Sequence, residues 1–279
     1  MKRILLILSL FATVGAFAQA VNLPQPSPTQ TIKQNFGLGS IELSYSRPAL
    51  KNRNVFKEGS ELAPIDKVWR TGANGATVIT FSDDVIINNV AIKPGKYGLL
   101  SIPGKKAFTL IITSDLTVNQ PPLYKPDNDI VRFSAPIMKL SEKVELFTME
   151  FANITPETCE LQLMWGNTLV SLPIVTNIKA RVKADIQKSL DGDKPAYGSM
   201  ANYYFDIEKD NAKALEYITK SISNAKQPNF GSYLLKAKIE KEMGDKASAK
   251  TSAQKCIELA ITAKNDDAVR AAKELISKL

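Results

Sequence analysis

The stretch VWRTGANGATVITFSDDVIINNVAIKPGKYGLLSIPG, residues 68–104, decides the fold of the first half of this chain. It holds three strand-like segments, and Asn88-Asn89 stands between two short apolar runs as a tight hairpin turn would. Pro94-Gly95 and Pro103-Gly104 bound a further strand. The stretch therefore predicts antiparallel β-structure joined by short turns.

The alternation of apolar and polar residues continues on both sides of this stretch, as far as Ile174. It is clearest at 41–45, 108–112 and 147–151, and a Gly166-Asn167 turn separates two more such runs near the end. About eight to ten short strands of this kind, with no helical period between them, are typical of an antiparallel sandwich or barrel.

The hydrophobic period changes from two to about 3.6 near Asn177, which predicts helices from there onward. Asp210 and Ala214 correspond to Asp245 and Ala249 in a weak internal repeat. Paired helices with small residues and a repeat of about 35 residues resemble tetratricopeptide repeats. We therefore expect an all-α, tetratricopeptide-like tail that ends in a capping helix over 266–279.

The N-terminus has the pattern of a signal peptide. Lys2 and Arg3 precede an apolar run over 4–17, and small residues follow at Ala16 and Ala18. The run is too short for a convincing transmembrane helix, so we expect a soluble protein exported to the periplasm or the extracellular space. The expected parts are a signal peptide at 1–18, an antiparallel β domain at 19–176 and a helical repeat-like domain at 177–279.

Composition excludes several classes of function. The formal charge of +8 is concentrated in residues 177–279, where 19 Lys and Arg stand against 14 Asp and Glu. These charges are spread over helix faces, and no interleaving of basic and aromatic residues supports a nucleic-acid partner. The chain has no histidine, so it cannot by itself build a Ser-His-Asp or Cys-His nucleophilic system.

Neither a metal nor another cofactor is predicted. Zinc sites that use histidine are excluded, and Asp127 and Asp129 lack the Gly and Glu that a calcium loop needs. Cys159 and Cys256 both lie in apolar patterns, so we expect two free, buried thiols rather than a disulfide.

The candidate ligand site is the corner at residues 69–74. Arginine presents a rigid fork to carboxylates and phosphates, and a tryptophan ring can stack on a sugar. The alternative is structural: the arginines would bond loop carbonyls and acids such as Glu58 or Asp66, and the tryptophan would lie in the core. The residues proposed for ligand binding are Arg47, Trp69, Arg70, Thr71 and Asn74.

The β region also resembles an uncharacterised bacterial family, domain of unknown function 2911. The matching segments are SPTQTIKQNFG (27–37), IELSYSRPALKNRNVF (41–56), VWRTGANGATVITFS (68–82) and DVIINNVAIKPGKYGLLSIPG (84–104), and the likeness continues to about 174. The resemblance implies an exported β-rich domain, sometimes with a helical repeat tail, and implies no activity. Family members often carry Glu directly after the Asn of the Trp-Arg-Thr-Gly-Ala-Asn segment, residues 69–74. This chain has Gly75 at that position.

Two functions remain open at this point. The first is a non-enzymatic exported binding or adaptor protein, in which the β domain holds a small anionic or sugar ligand and the tail engages a protein or peptide. The second is a carboxylate-dependent hydrolase of polysaccharide or envelope material, which needs two carboxyl groups facing each other across a cleft. The tail could instead serve only to stabilise the β domain by packing on it.

Overall fold

The structure, a computed structural model, describes residues 23–279. The expected signal peptide and its cleavage point lie outside these residues. Ten β-strands occupy the first part of the described chain. They are β1 (Thr29–Phe36), β2 (Gly39–Ser46), β3 (Thr77–Phe81), β4 (Val85–Ile87), β5 (Val90–Ile92), β6 (Gly95–Pro103), β7 (Ala107–Thr113), β8 (Asp129–Pro136), β9 (Met138–Ala152) and β10 (Thr158–Val175).

The strands form two antiparallel sheets. One has six strands in the order β1-β2-β3-β6-β7-β8, and the other has four in the order β5-β4-β10-β9. The predicted turn at Asn88-Asn89 is confirmed: Ile87 pairs with Val90, and the two asparagines have φ of 49° and 63°. Positive φ at both central residues is what a type I′ hairpin turn requires, and asparagine tolerates it better than most residues.

The strand β10 reverses direction at Gly166, which has φ of 60°. Its ends lie side by side, since the Thr176 amide donates to the Glu157 carbonyl at 2.9 Å. Ser171 also bonds Glu160, 11 residues away, although an extended segment of that length would span roughly 36 Å. The predicted Gly166-Asn167 turn is therefore confirmed, and the two halves of β10 form a hairpin.

The two sheets pack face to face over one apolar core. Leu43 and Leu110 of the six-stranded sheet and Leu161 and Leu172 of the other are completely buried in it. Apolar residues alternate with exposed or half-buried ones along most strands, as the period of two predicts. The fold is thus a sandwich rather than a closed barrel, which decides between the two predicted architectures.

Six α-helices follow the second sheet. They are α1 (Lys179–Leu190), α2 (Tyr197–Tyr203), α3 (Asn211–Asn224), α4 (Phe230–Glu242), α5 (Lys246–Thr262) and α6 (Asp266–Ser277). The carboxylates of Asp210 and Asp245 accept from the amides of Lys213 and Ser248, so equivalent residues cap α3 and α5. Ala214 and Ala249 are both completely buried, as their matching places in the internal repeat predict.

The first helix is joined to the β-sheets by a small contact. Ile178 is buried, and the Thr176 hydroxyl donates to the Asp84 carbonyl at 3.1 Å. Arg181 of α1 forms an ion pair with Asp83. Burial by itself raises the pKa of Asp83, but the bonds from Arg181 and from the backbone outweigh it and lower that pKa overall. The division into a β domain at 19–176 and a helical domain at 177–279 stays a prediction.

Both cysteines are free and buried, as predicted. Burial raises the pKa of Cys159 to about 12, and it also raises the pKa of Cys256. A thiol with a raised pKa is a poor nucleophile because the thiolate is the reactive form. These two residues therefore act as small apolar side chains of their respective cores.

Candidate functional site

Trp69 lies inside the sandwich core. Its side chain is 4% exposed, and its ring stacks on Trp165 with 5.7 Å between centroids and 14° between planes. The indole nitrogen donates to the Gly72 carbonyl at 3.0 Å. Because Trp165 covers one face and Phe147 packs at 5.0 Å, no ring face is left open for a sugar. This placement matches the structural alternative, in which the tryptophan is a core residue and not a ligand contact.

The backbone that follows Trp69 turns sharply and is held by buried hydroxyls. Thr71 is completely buried with φ of 54°, and its hydroxyl donates to Ser101 Oγ at 3.0 Å. Gly72 has φ of 152°, and a Cβ there would lie 3.0 Å from the Ser46 carbonyl oxygen. A residue with a side chain would be both strained and crowded at this position, so the turn requires glycine.

Asn74 connects the corner to the start of the chain. It adopts a left-handed conformation with φ of 62°, which asparagine tolerates better than most residues. Its amide nitrogen donates to the Ser27 carbonyl at 3.0 Å and to Ser46 Oγ at 3.1 Å. Asn74 therefore fastens the lead-in segment and the end of β2 to the corner.

Arg47 and Arg70 reach different parts of the molecule. Arg47 donates to the Phe147 carbonyl at 3.0 Å and to the Thr148 hydroxyl at 2.8 Å, and so attaches the end of β2 to β9. Arg70 donates through Nη1 to the carbonyls of Asn74 and Asn119. No hydrogen bond between described residues connects the two arginines. Each binds carbonyl oxygens, and neither pairs with the acids Glu58 or Asp66.

The corner at residues 69–74 therefore has an internal partner for each of its conspicuous side chains. A ligand role for Arg47, Trp69, Arg70, Thr71 and Asn74 stays a prediction. Arg70 is the member best placed for such a role, because it is half-buried and both of its bonds use Nη1.

A more open site lies where the chain passes from β8 to β9 and so from one sheet to the other. β8 is the edge strand of the six-stranded sheet, and Met138 at the start of β9 already pairs with Leu169 of β10. Between β8 and β10 the surface forms a cavity of about 470 Å³, here named the β8–β10 groove. Its apolar lining is Phe133, Ala135, Pro136, Met138, Leu169 and Pro173, and its polar lining is Ser134, Asn153, Glu160, Gln162 and Ser171.

The polar wall of this groove is organised around one carboxylate. Glu160 Oε2 accepts from the Ser171 hydroxyl at 2.7 Å and from the Gln162 amide at 3.3 Å. The bonds from Ser171 and Gln162 lower the pKa of Glu160 against the opposing effect of burial, and Asn153 adds to the lowering. The groove thus presents an ionised carboxylate beside apolar surface at neutral pH.

Other carboxylates of the described residues are less suited to a site. Glu58 and Glu61 line a loop cavity of about 340 Å³, but both are exposed, and Glu58 pairs with Lys105 at 3.4 Å. Asp129 accepts from the Tyr124 hydroxyl at 2.5 Å and forms an ion pair with Arg132 Nε at 3.2 Å. Within residues 23–279 no group of three or more carboxylate and thiol side chains is arranged to hold a metal ion.

Sequence reasoning missed the polar residues of the groove. Glu160, Gln162 and Ser171 are ordinary members of an alternating strand, and nothing in their type or spacing marks them. The signal that could have found them is the Gly166-Asn167 turn. A two-residue turn there places Gln162 opposite Ser171 and brings Glu160 within reach of the same hydroxyl.

Comparison with known proteins gives one match. The model of a family described as "Protein of unknown function (DUF2911)" matches residues 27–174. The match covers the whole sandwich except the last residue of β10, and it includes both the corner and the groove. No curated protein and no solved structure matches this chain.

Proposed function

The chain belongs to the DUF2911 family, and from that premise we propose that it is an exported binding protein which holds a small ligand in the β8–β10 groove without converting it. The family description carries no activity, so the proposal rests on the geometry of the groove. The helical tail, in this proposal, provides a second surface for a protein or peptide partner.

The observation that carries the proposal is the make-up of the groove. A concave space of about 470 Å³ falls in the range of small-molecule sites, which are mainly apolar with a few placed polar groups. The β8–β10 groove has this composition. Its polar groups are also fixed in place, since Ser171 and Gln162 both bond Glu160 before any ligand arrives.

The same geometry does not meet the requirements of carboxylate-dependent hydrolysis in this groove. That chemistry needs two carboxyl groups about 5–10 Å apart, one of which keeps its proton at neutral pH through a raised pKa. Glu160 is the single acid among the lining residues, and its pKa is lowered instead. A carboxylate that stays ionised accepts hydrogen bonds and balances positive charge, which suits binding.

The signal-peptide pattern of residues 1–18 supports export: two basic residues are followed by an apolar run and then by small residues before the expected cleavage point. Within residues 23–279 no helix has both the length and the apolar character needed to cross a membrane. A fractionation experiment that finds the chain from Gln19 onward outside the cytoplasm would support this part of the proposal. Retention of an uncleaved chain in the cytoplasm would contradict it.

The ligand site can be tested with the chain expected after removal of residues 1–18. Amide NMR spectra recorded against a diverse small-molecule fragment library should show hits whose shifted resonances cluster around Glu160, Gln162 and Ser171. The hits should remain chemically unchanged after long incubation. Hits confined to other surfaces would contradict the proposed site, and hydrolysis of a hit would contradict a purely binding role.

A further inference from the structure

The one charged group that the described lining of the groove offers a ligand is an acceptor, the carboxylate of Glu160. A serine hydroxyl has one proton, and Ser171 uses it on Glu160 Oε2 at 2.7 Å. The Gln162 amide nitrogen is turned to the same oxygen at 3.3 Å, which leaves the amide oxygen of Gln162 without a bond to a described residue. Both of these bonds end on Glu160 Oε2, and Asn153 also acts on the carboxylate. Each carboxylate oxygen has two lone pairs, so Glu160 can still accept from a ligand.

A groove whose one charged residue in the described lining is an ionised carboxylate favours a positively charged ligand that donates hydrogen bonds. An ammonium group carries three N–H donors and no acceptor. A charge-assisted hydrogen bond to a carboxylate is roughly twice as strong as a neutral one. Resting on the proposed function that the groove is a ligand site, we propose that its ligand is a primary ammonium ion carried on an apolar body.

The apolar body follows from the rest of the lining. Met138 is 45% exposed, and Phe133, Leu169 and Pro173 line the same groove. Covering these side chains removes apolar surface from water, which stabilises a complex. A ligand that carried charge alone would leave this surface in contact with water.

Other donor-rich ligands fit the same groups less well. A guanidinium binds a carboxylate best through both oxygens at once, but Glu160 Oε2 already accepts from two side chains. A sugar hydroxyl carries no charge to balance that of the Glu160 carboxylate. A carboxylate ligand would be repelled by the charge of Glu160.

The experiment uses three matched probes that share one apolar body: hexylammonium, hexanol and hexanoate. Each is titrated into the isotope-labelled chain that begins at Gln19, and amide NMR shifts locate the binding. Hexylammonium should shift the resonances of Gln162 and Ser171 and bind at least about tenfold more tightly than hexanol, a difference of about 1.4 kcal/mol. Hexanoate should leave the groove unchanged.

Two kinds of failure can be told apart. Groove binding by hexanol or hexanoate that equals the binding of hexylammonium would overturn the ammonium assignment while the groove remained a ligand site. If no probe shifts the groove, and the fragment library does not either, both the assignment and the proposed function are overturned.

Variants sharpen the result. Glu160→Gln keeps the shape of the side chain but removes its charge, so it should weaken hexylammonium binding by about tenfold or more and leave hexanol binding unchanged. Glu61→Gln makes the same change at an exposed acid of the loop cavity and should have no effect. Equal hexylammonium affinity in Glu160→Gln and the unchanged chain would overturn the proposal. A thermal melt confirms that both variants are folded.

Discussion

The corner at residues 69–74 and the β8–β10 groove use polar side chains in opposite ways. In the corner the indole of Trp69, the hydroxyl of Thr71 and the amide of Asn74 all bond other parts of the same chain. In the groove Ser171 and Gln162 bond Glu160, whose carboxylate can still accept from a ligand. Polar groups whose donors and acceptors are bonded inside the fold stabilise it. Polar groups that are held in place but can still form hydrogen bonds can bind a ligand.

This difference makes the corner more sensitive to substitution than the groove. Trp69→Ala removes a buried ring that stacks on Trp165 and should lower the free energy of unfolding by about 3–5 kcal/mol. Chemical denaturation of the variant against the unchanged chain measures this.

A milder variant at the same position separates packing from hydrogen bonding. Trp69→Phe keeps an aromatic ring but leaves the buried Gly72 carbonyl without its donor, which should cost about 1–3 kcal/mol. A loss below about 1 kcal/mol for Trp69→Ala would show that the corner is not a core element.

The two arginines should differ in their effect on stability. Arg47 bonds two groups of β9, so Arg47→Ala should cost about 2 kcal/mol. Arg70 bonds carbonyls at an exposed edge, where water can replace it, so Arg70→Ala should cost about 1 kcal/mol. Thermal melts of the two variants, recorded under the same conditions, show which one loses more stability. An Arg70→Ala melt without a cooperative transition would contradict the small loss expected for that variant.

The strand pattern and the change to helices could be predicted because both depend on local periodicity. Alternation over short runs, the Asn88-Asn89 turn and the caps at Asp210 and Asp245 all concern residues close together in the chain. The choice between sandwich and barrel depends on how distant strands pair. That choice needed the structure, which shows two separate sheets.

The candidate site was harder to predict for a physical reason. Trp69, Arg70 and Asn74 are unusual residues close together in the sequence. The same residue types occur in strained turns and in binding sites, so their types alone do not distinguish the two. Glu160 and Ser171 are 11 residues apart and meet only because β10 reverses. The turn at Gly166-Asn167 was predicted, but the polar contact that it creates on the solvent face was not.

A smaller effect tests how the groove keeps its charge. Ser171→Ala removes the strongest of the bonds that lower the pKa of Glu160, so that pKa should rise. A pH titration of the Glu160 side chain by NMR measures the change, with Ser134→Ala, on the β8 side of the same groove, as the control. An unchanged Glu160 pKa in Ser171→Ala would show that the hydroxyl does not stabilise the carboxylate.

The same shift predicts a pH dependence of stability. The pKa of Glu160 in the folded chain lies below its value in the unfolded chain, so the unfolded state binds the proton more tightly. Its contribution to stability is therefore present above the unfolded pKa and is lost as the pH falls through the folded pKa. The stabilities of Ser171→Ala and the unchanged chain should differ at neutral pH and converge in acid, and a gap that widens in acid would contradict this.

The central claim is that the groove, and not the corner, is the ligand site. Titration of hexylammonium into Arg70→Ala and Glu160→Gln, followed by amide NMR, tests it most directly. The account predicts that Arg70→Ala binds like the unchanged chain and that Glu160→Gln binds about tenfold or more weakly. Lost binding in Arg70→Ala together with full binding in Glu160→Gln would contradict the account and return the site to the corner.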